Sequence, residues 1–585
     1  MTSALDRIPA GHLLLAAACA LPRRAAAEWR ASSACQLLLA VPRPEGLRAA
    51  PKDRRPADPD AGRRILAGGF AFGGETLAVG PRGDPWDRPA PSQRFAASLH
   101  GFGWLKDLTA HDDPGAWEAL RLTLAWRRLF GRWNRFSWAP QIVERRVFNL
   151  ACAIRALSAP ASEAEAEQVA TDLARQARYV LGLAEGPARA AERATAAAVA
   201  GAALGGPAGE RLLARALRRL DDALAATVTT DGGHASRSPQ AALELYFDLS
   251  TLDEALSQIG VAPPAAMARS LAQLAEAVRF FTLADGRLAA FQGGGALSPA
   301  YVAAARAEDD AGPAPPPPSR NGYHRLEGRA LQVVADAAAP AAGPWGVSAC
   351  GQPLALEVLA GGKRLIVGAG WSPGAEASAA LRLVDGGSTL AVADAACGAP
   401  LGGFAAEVLG PRLVAAYEVD EARRHEADGA VWLETAHDGW ARRFGLRHER
   451  RLYLDVATDE LRGEDRLVPL SEPGAAEGRR FIPFVVRFHL HPQVSALVAG
   501  DRTSVLLKVA GQETGWWLRS DAADAALRAS VHQQDGEIRH GQQILLRGQA
   551  RLDAGARVRW KLSAAHDRAS DQMAAAQVDA ERASA

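Results

Sequence analysis

The chain has 585 residues, of which 67 are lysine or arginine and 66 are aspartate or glutamate. A chain of this length is too long for one hydrophobic core and is expected to divide into two or more domains. The balanced charge gives no reason to expect a nucleic-acid partner, because such proteins usually carry a basic surface. The five cysteines are scattered without a CxxC or Cys/His spacing, which argues against a disulfide framework and against a structural zinc site.

Residues 1–110 are predicted to be irregular and partly helical, and to pack on the helical domain that follows. The apolar segment Gly11–Leu21 is too short to span a membrane. Asp6 precedes it and Arg7 is its only nearby positive charge, which is unlike a secretory signal. We therefore expect an amphipathic helix and no transmembrane segment. An exported protein and a cytoplasmic one are both compatible with this segment.

Residues 111–292 have the period of amphipathic helices. Asp112 and Pro114 are typical of a helix start. Apolar residues then recur at steps of three and four, for example between Val143 and Leu157. Further helices are predicted over 162–183, 188–204, 209–228, 239–259 and 265–281. Short connections between consecutive helices imply antiparallel hairpins, and a ring of such hairpins is an (α/α) toroid.

The pattern changes after residue 292. Gly293–Arg320 is rich in glycine and proline and is predicted to be an extended linker between domains. Over 321–565 the apolar period becomes two, and many short strands follow one another without helices between them. This predicts a β-sandwich of antiparallel sheets. Residues 566–585 are polar and alanine-rich and are predicted to be a loose tail.

The most informative stretch lies inside the helical part, at Asp231–Ser250. An Asp-Gly-Gly turn presents His234 and Arg237, and Ser238 and Pro239 are suited to the cap and first position of a helix. Two interpretations are open on local evidence. The two side chains form a site for an acidic sugar, or the stretch is a capped loop in which His234 is a turn residue.

This stretch is similar to the central motif of the heparinase II/III family of polysaccharide lyases. Three further segments resemble bacterial members of that family: PWDRPAPSQRFAASLHGFGWLKDL, NGYHRLEGR and VVRFHLHPQV. The similarity runs from about Gly62 to Leu562. The resemblance implies a multidomain fold, α then β, with an N-terminal toroid-like helical domain followed by an antiparallel β-sandwich.

The resemblance also implies cleavage of a uronate-containing glycan by β-elimination, without a cofactor. Such a reaction needs a group that neutralises the sugar carboxylate, a base that removes the adjacent proton and an acid that protonates the leaving oxygen. His234 is a candidate base or neutralising group, and Arg237 a candidate carboxylate ligand. Tyr323 and His324 follow the linker, and we expect one of them to face the first pair across a cleft. Tyr246, on the helix after the motif, is the remaining catalytic candidate.

Four more residues are candidates for substrate binding. Asn321 belongs to the segment after the linker, and Trp104 to a tryptophan-rich section whose rings either stack on sugars or wedge between helices. His489 and His491 are two residues apart on a predicted strand and share a face. That pair serves a glycan or a metal, or is a surface pair beside Pro492. With no third ligand in the sequence, we predict no metal site.

The sequence departs from the family pattern at three places. The tyrosine of the Ser-Pro-x-Tyr-His motif is Ala241 here. The family's Asn-His pair has no counterpart in Gly182–Gly201, and its His-Ala-Asp segment appears as Cys350–Gln352. These differences weaken the inference of a mechanism more than the inference of a fold.

Three functions follow. The leading hypothesis is a carbon–oxygen lyase acting on an acidic, uronate-bearing polysaccharide or oligosaccharide. The alternative is a non-catalytic glycan-binding or cell-envelope assembly protein that keeps the fold. A glycoside hydrolase, which needs two carboxylates across a cleft, ranks third because Asp231 and Glu244 are the only acids near the motif. The resemblance implies the cell envelope or periplasm, with the cytoplasm as the alternative.

Overall fold

A helical domain precedes a β-sandwich in the computed structural model. The helices occupy the chain up to Ala307, and the strands of the sandwich begin at Ser319. The structure describes residues 10–309, 316–373, 379–415, 417–470, 480–534 and 537–565. The predicted tail from His566 onward therefore lies outside the described residues.

Thirteen of the fifteen described helices precede the sandwich, and the other two are short helices within it. The first five lie before residue 110: α1 (Ala10–Ala31), α2 (Ser33–Ala40), α3 (Pro59–Leu66), α4 (Gln93–His100) and α5 (Leu105–Thr109). The next eight form most of the helical domain: α6 (Asp112–Phe130), α7 (Pro140–Ser158), α8 (Glu163–Leu181), α9 (Ala190–Ala203), α10 (Gly206–Thr227), α11 (Pro239–Gln258), α12 (Ala265–Phe281) and α13 (Pro299–Ala307). The last two are α14 (Gly403–Leu409) and α15 (Ala441–Phe444).

Helix α9 lies at the centre of the helical domain. Every residue from Ala191 to Ala203 is buried, and the helix packs against α7, α8, α10 and α11. The alanine-rich sequence permits this burial because small side chains let several neighbouring helices approach α9 at once. At Gly201 an added Cβ would lie only 2.6 Å from the backbone nitrogen of Leu213 on α10. The alanine run is therefore a packing centre.

The region before residue 110 has more regular structure than the sequence predicted. It contains α1 to α5 and a hairpin of β1 (Gly69–Phe72) and β2 (Glu75–Ala78). Helix α1 extends ten residues past the predicted apolar segment and rests on α14 of the sandwich, where Ala16 packs with Ala405 and Leu409. Short helices of this kind are held by tertiary contacts, which a sequence period does not reveal.

The segment predicted as an extended linker contains helix α13. Ser298 caps it by accepting a hydrogen bond from the Tyr301 amide, and Pro299 takes its first position. Val302 and Ala305 bury its inner face in the helical domain. The proline-rich part at 310–315 lies outside the described residues.

Nineteen strands follow in the described part of the sandwich. The first six are β3 (Ser319–Arg320), β4 (Tyr323–Glu327), β5 (Leu331–Asp336), β6 (Leu356–Ala360), β7 (Lys363–Val367) and β8 (Leu390–Val392). The next seven are β9 (Gly398–Pro400), β10 (Leu413–Ala415), β11 (Arg423–Ala427), β12 (Ala430–His437), β13 (Leu446–Asp455), β14 (Glu460–Pro469) and β15 (Phe481–Leu490). The last six are β16 (Val494–Val498), β17 (Ser504–Val509), β18 (Trp516–Ser520), β19 (Asp524–Gln534), β20 (Glu537–Arg551) and β21 (Ala556–Ala564).

Two antiparallel sheets form the sandwich. The inner sheet has nine strands in the order β19-β20-β15-β7-β6-β5-β4-β3, with β8 paired to β15, and the outer sheet has eight in the order β11-β12-β13-β14-β21-β18-β17-β16. Every residue of β5 is buried, because the inner sheet packs on the helical domain and on the outer sheet. Strand β13 alternates between buried and more exposed residues, because only one face of the outer sheet is covered.

The sandwich core contains a buried polar chain. The Gly439 amide donates to His437 Nδ1 (3.0 Å), so the neutral ring carries its proton on Nε2, which donates to His448 Nδ1 (3.0 Å). His448 Nε2 then donates to Asp465 (2.8 Å), which also accepts from Arg450 (2.8 Å). Buried polar groups of this kind are tolerated because each finds a partner.

Among the described helices, none combines the length and apolar character that crossing a bilayer requires.

Candidate functional site

His234 sits in a closed turn between α10 and α11. The amide of Gly233 donates to the Thr229 hydroxyl (2.8 Å), and Thr229 donates from its own amide to the Gly233 carbonyl (2.8 Å). His234 is only 3% exposed, and its Nδ1 accepts from the Ser236 amide (3.1 Å). Nε2 therefore carries the proton of the neutral ring, and this buried atom has no hydrogen-bond partner. Trp345 of the sandwich lies edge-on to the imidazole at 5.6 Å.

The nearest acid to His234 is Glu192 on α9. Its Oε1 is 3.8 Å from His234 Nε2, and its Oε2 has no hydrogen-bond partner. Burial opposes ionisation of Glu192, but Arg189 and His234 outweigh it and lower its pKa to about 2. Arg189 also donates to Glu144, whose pKa is raised by burial. Glu192 belongs to no motif of the sequence, although a carboxylate within an alanine-rich helix is itself a signal.

Arg237 fastens the turn to the sandwich. It adopts a left-handed backbone conformation (φ 61°) and its side chain is 6% exposed. Nη2 donates to Asp336 Oδ1 (2.6 Å), Nε to the Asn321 carbonyl (3.2 Å), and Nη1 to the carbonyls of Ala338 (3.0 Å) and Ala339 (2.9 Å). All three guanidinium nitrogens are engaged with the sandwich. The pKa of Arg237 is raised, because Asp336 outweighs the effect of burial.

Tyr323 and Asn321, both in the segment after the linker, meet the same turn from the sandwich side. Tyr323 is fully buried, and its hydroxyl donates to the Arg237 carbonyl (2.9 Å). Burial raises the pKa of this phenol well above 10. Asn321 Nδ2 donates to the His234 carbonyl (3.0 Å), and its backbone amide donates to Asp231. The predicted residues are thus brought together, but in a packed joint and not along an open cleft.

Ser238 lies at the start of α11 but its side chain makes no capping hydrogen bond. Ser236 accepts from the Ser238 amide instead (3.3 Å). The predicted first-turn role of Pro239 agrees with the structure. Since Ser238 and Pro239 are buried, this helix start presents no open surface to an anion.

The other catalytic candidates lie elsewhere. His324 follows Tyr323 on β4, so its side chain leaves the opposite face of the strand, and burial together with Arg424 lowers its pKa to about 4. Tyr246 is 3% exposed and belongs to the core of the helical domain.

The residues predicted to bind substrate are buried or in contact with other groups of the protein. Trp104 is 1% exposed, donates to the Leu99 carbonyl (3.0 Å) and packs with Phe102 at 5.4 Å. It is therefore a packing residue, as the second interpretation of the tryptophan-rich section expected. His489 contacts Ser530 Oγ (2.7 Å) and the Asp385 carbonyl (2.9 Å) with its two ring nitrogens.

His491 follows the end of β15 and lies edge-on to His532 with 5.3 Å between ring centroids. Burial lowers the pKa of His491 to about 4. Within the described parts of the chain, no group of three or more His, Cys, Asp or Glu side chains could hold a metal ion.

The two acids considered for a hydrolase are already engaged. Asp231 accepts from Thr229 (2.6 Å) and from the Asn321 amide, and Glu244 binds Arg55 (2.8 Å) and the Tyr301 hydroxyl (2.9 Å). Arg55 also pairs with Asp248 (2.7 Å) inside the helical domain. Glu244 thus balances the buried Arg55, and Asp231 binds the turn to the segment that contains Asn321.

Comparison with known proteins agrees with this architecture. Residues 314–561 match the family model described as heparinase II/III-like, C-terminal. The crystal structure of heparinase III superposes with a TM-score of 0.63 at 13% identity, covering 83% of this chain and 80% of that one. A mutant of heparan sulfate lyase HepC from Pedobacter heparinus gives a TM-score of 0.57 at 14% identity, covering 90% and 87%.

One curated relative is far more similar in sequence. FtsZ-localized protein C of Caulobacter vibrioides (strain NA1000 / CB15N) is 50% identical over 544 residues, which is 92% of this chain and 94% of that protein. The predicted fold class, a helical domain followed by antiparallel sheets, is confirmed by the heparinase III match. The family model, the shared fold and the motifs of the sequence agree. The chain belongs to the heparinase II/III family.

Proposed function

We propose that this chain is a non-catalytic member of its family, which uses the lyase fold as a scaffold for binding and assembly at the site occupied by FtsZ. The observation that carries the proposal is the joint around Arg237. The residues at the family's central motif are buried, and the side chain and carbonyl of Arg237 hold two domains together.

The chemistry of β-elimination supports the first part of the proposal. A guanidinium neutralises a substrate carboxylate only if its donors are free, and those of Arg237 are held by Asp336 and by three backbone carbonyls. A phenol acts as a base only if its pKa is accessible, and that of Tyr323 is raised well above 10. The motif tyrosine of active relatives is replaced by Ala241, which has no titratable group.

The second part rests on sequence identity. A relative named for its localisation with FtsZ is 50% identical over nearly the whole chain, whereas the solved lyases are 13–14% identical. An identity of 13–14% supports a shared fold and does not support a shared function. We therefore infer the role from FtsZ-localized protein C. A place in the cell envelope or periplasm, implied by the resemblance to the lyases, is kept as the alternative location.

Sedimentation with FtsZ polymers tests this role. The purified chain is mixed with FtsZ, polymerisation is started with GTP, and the polymers are pelleted. We expect the chain in the pellet only when polymers form. Heparinase III, which has the same fold, serves as the control and should stay in the supernatant. A chain that stays in the supernatant beside pelleted FtsZ would contradict direct association.

One observation favours a second candidate function, a lyase with a rearranged acid–base pair. His234 Nε2 and Glu192 Oε2 are buried without hydrogen-bond partners, and the two side chains are 3.8 Å apart at their nearest atoms. In this mechanism the Nε2–H of His234 would orient the Glu192 carboxylate through Oε1, while Oε2 removes the sugar proton and then returns it to the leaving oxygen. Turnover of a uronate polymer that is lost in both Glu192→Gln and His234→Ala would support it; full activity in either variant would exclude it.

A further inference from the structure

The outer face of the eight-stranded sheet points away from the sandwich core. The opposite face of the sheet packs into the core, and alternate residues of β13 point outward. A groove with a volume of about 500 Å³ crosses β12, β13, β14, β21 and β18 on this face. It lies on the far side of the sandwich from His234 and is independent of the joint between the domains.

Strand register places charges of alternating sign in one row across this face. Arg423 pairs with Glu434, Glu434 with Arg451, Arg451 with Glu464, and Glu464 with Arg559. Opposite charges at directly facing positions stabilise a sheet modestly. A row of this length keeps several arginine side chains extended over the surface in fixed positions.

Cationic side chains surround Glu464 at the centre of this row. Four guanidinium groups lie 3.6–4.0 Å from the single carboxylate of Glu464. They belong to Arg451, Arg466, Arg557 and Arg559. Three of them have a second carboxylate as well: Glu434 for Arg451, Glu449 for Arg466 and Asp521 for Arg559. Each guanidinium group has five N–H donors, so these partly exposed arginines keep donors for a further anion.

A second row runs beside the first and joins aromatic residues to cations. Trp432 pairs with Tyr453, Tyr453 with Arg462, Arg462 with Lys561, and Lys561 with Arg519. The rings of Trp432 and Tyr453 lie 4.9 Å apart at an angle of 62°. The apolar end of the groove is therefore next to its cationic end.

Arg519 is the most available of these cations. It stacks on Trp517 with 4.8 Å to the ring centroid, and no carboxylate of the described residues forms an ion pair with it. In total, five cationic residues and three carboxylates line the groove. The whole chain has a net charge of only +1, so the excess is a local property of this surface.

We propose that this groove binds a linear acidic segment of a partner protein, in which a large apolar side chain lies between carboxylates. The apolar side chain would sit against Trp432 and Tyr453, and the carboxylates would bind Arg519 and Arg559. Tryptophan, tyrosine and arginine are the residues that most often dominate binding energy at protein interfaces. Arginine clusters are a common means of recognising acidic motifs.

The geometry favours a peptide over an acidic glycan. Sugar rings stack on flat, open aromatic faces, whereas Trp432 and Tyr453 are strongly tilted to each other. The guanidinium of Arg462 also covers the Tyr453 ring at 5.5 Å. A tilted pair of rings accepts the branched end of one side chain better than it accepts successive pyranose rings. The inference does not depend on whether the helical domain has kept or lost catalysis.

Fluorescence anisotropy with a synthetic peptide tests this surface. The probe is a fluorescein-labelled peptide in which one leucine lies between runs of glutamate, titrated with the full chain. We expect saturable binding that weakens as salt is raised, and at least about tenfold weaker binding, or about 1.4 kcal/mol, in Arg519→Glu and in Arg559→Glu. Trp432→Leu, which keeps an apolar side chain in the strand, should also weaken binding several-fold.

Arg539→Glu is the matched control, because Arg539 is on β20 of the other sheet and has a similar exposed fraction, 51% against 56% for Arg559. It should bind the probe like the wild type. Three outcomes would overturn the proposal: no binding to the wild type, equal binding of a peptide with serine in place of leucine, or equal loss in Arg539→Glu. Binding of a uronate oligosaccharide that the same groove variants abolish, without binding of the peptide, would also overturn it.

Discussion

Arg237 Nη2 donates to Asp336 Oδ1 over 2.6 Å, and this buried ion pair joins the turn before α11 to the end of β5. Gln292 of the helical domain donates to the other oxygen of the same carboxylate (3.0 Å). Two separate segments of the helical domain thus converge on one acid of the sandwich. The resemblance implies a substrate site at this motif. In this structure Arg237 and Gln292 bind Asp336 of the second domain there.

Removing the guanidinium should therefore destabilise the protein. Arg237→Ala leaves the Asp336 carboxylate buried without its main partner, and breaking a buried pair in this way costs about 3–5 kcal/mol. Urea unfolding followed by circular dichroism measures the loss. The exposed Arg502→Ala, whose partner is Asp524 at the surface, should change stability by less than about 1 kcal/mol. Equal stability of Arg237→Ala and wild type would show that the pair does not hold the joint.

A methyl group at Gly233 should disturb the same joint by steric contact. An added Cβ would lie 2.2 Å from Asn321 Cγ, so the turn and the sandwich must move apart. We expect Gly233→Ala to lower the melting temperature by several degrees, corresponding to about 1–3 kcal/mol. Gly402→Ala is the control, because nothing lies within 4 Å of its Cβ position. An unchanged melting temperature for Gly233→Ala would mean that the two elements are not tightly packed.

The buried His489 makes stability depend on pH. Burial lowers its pKa from 6.5 to about 4 in the folded protein, so the unfolded chain takes up the proton first as the pH falls. His489 therefore has no effect above about pH 6.5, and stability is lost progressively between pH 6.5 and 4, by up to about 3 kcal/mol. His489→Gln should remove this loss, so its stability relative to wild type should rise as the pH falls.

The measurement is the free energy of unfolding of wild type and His489→Gln at several pH values between 7 and 4. Replacement of His540, an exposed residue of β20, by Gln provides the matched control and should follow the wild-type profile. A constant stability difference between His489→Gln and wild type over this range would contradict the assigned environment.

The helices of the toroid region could be predicted from the sequence because their apolar positions recur over several turns. The segment predicted at 265–281 coincides with α12, and that at 239–259 with α11 to within one residue. The sandwich was recognisable because apolar residues alternate with polar ones along its strands, and because the segment that contains Asn321 resembles a family motif. Helix α13 was missed because nine residues next to a proline-rich segment give too short a pattern.

The site was harder to predict, because the sequence shows which residues are present but not what they contact. The motif and the post-linker segment were expected to face each other across a cleft, and the structure places Tyr323 against Arg237 in a packed joint. The partners that decide their chemistry, Asp336 and Glu192, are distant in sequence and belong to no motif. Burial of Trp104 likewise depends on neighbours such as Phe102, which the spacing of tryptophans does not reveal.

The proposed absence of catalysis is tested most directly by an assay for lyase turnover by the wild-type protein. The purified chain is incubated with heparan sulfate and a panel of other uronate polymers, and the ultraviolet absorbance of the unsaturated uronate product is followed, with heparinase III as the positive control. We expect no increase in absorbance on any polymer under conditions in which heparinase III reacts to completion. A sustained increase that His234→Ala abolishes without loss of folded structure would contradict it.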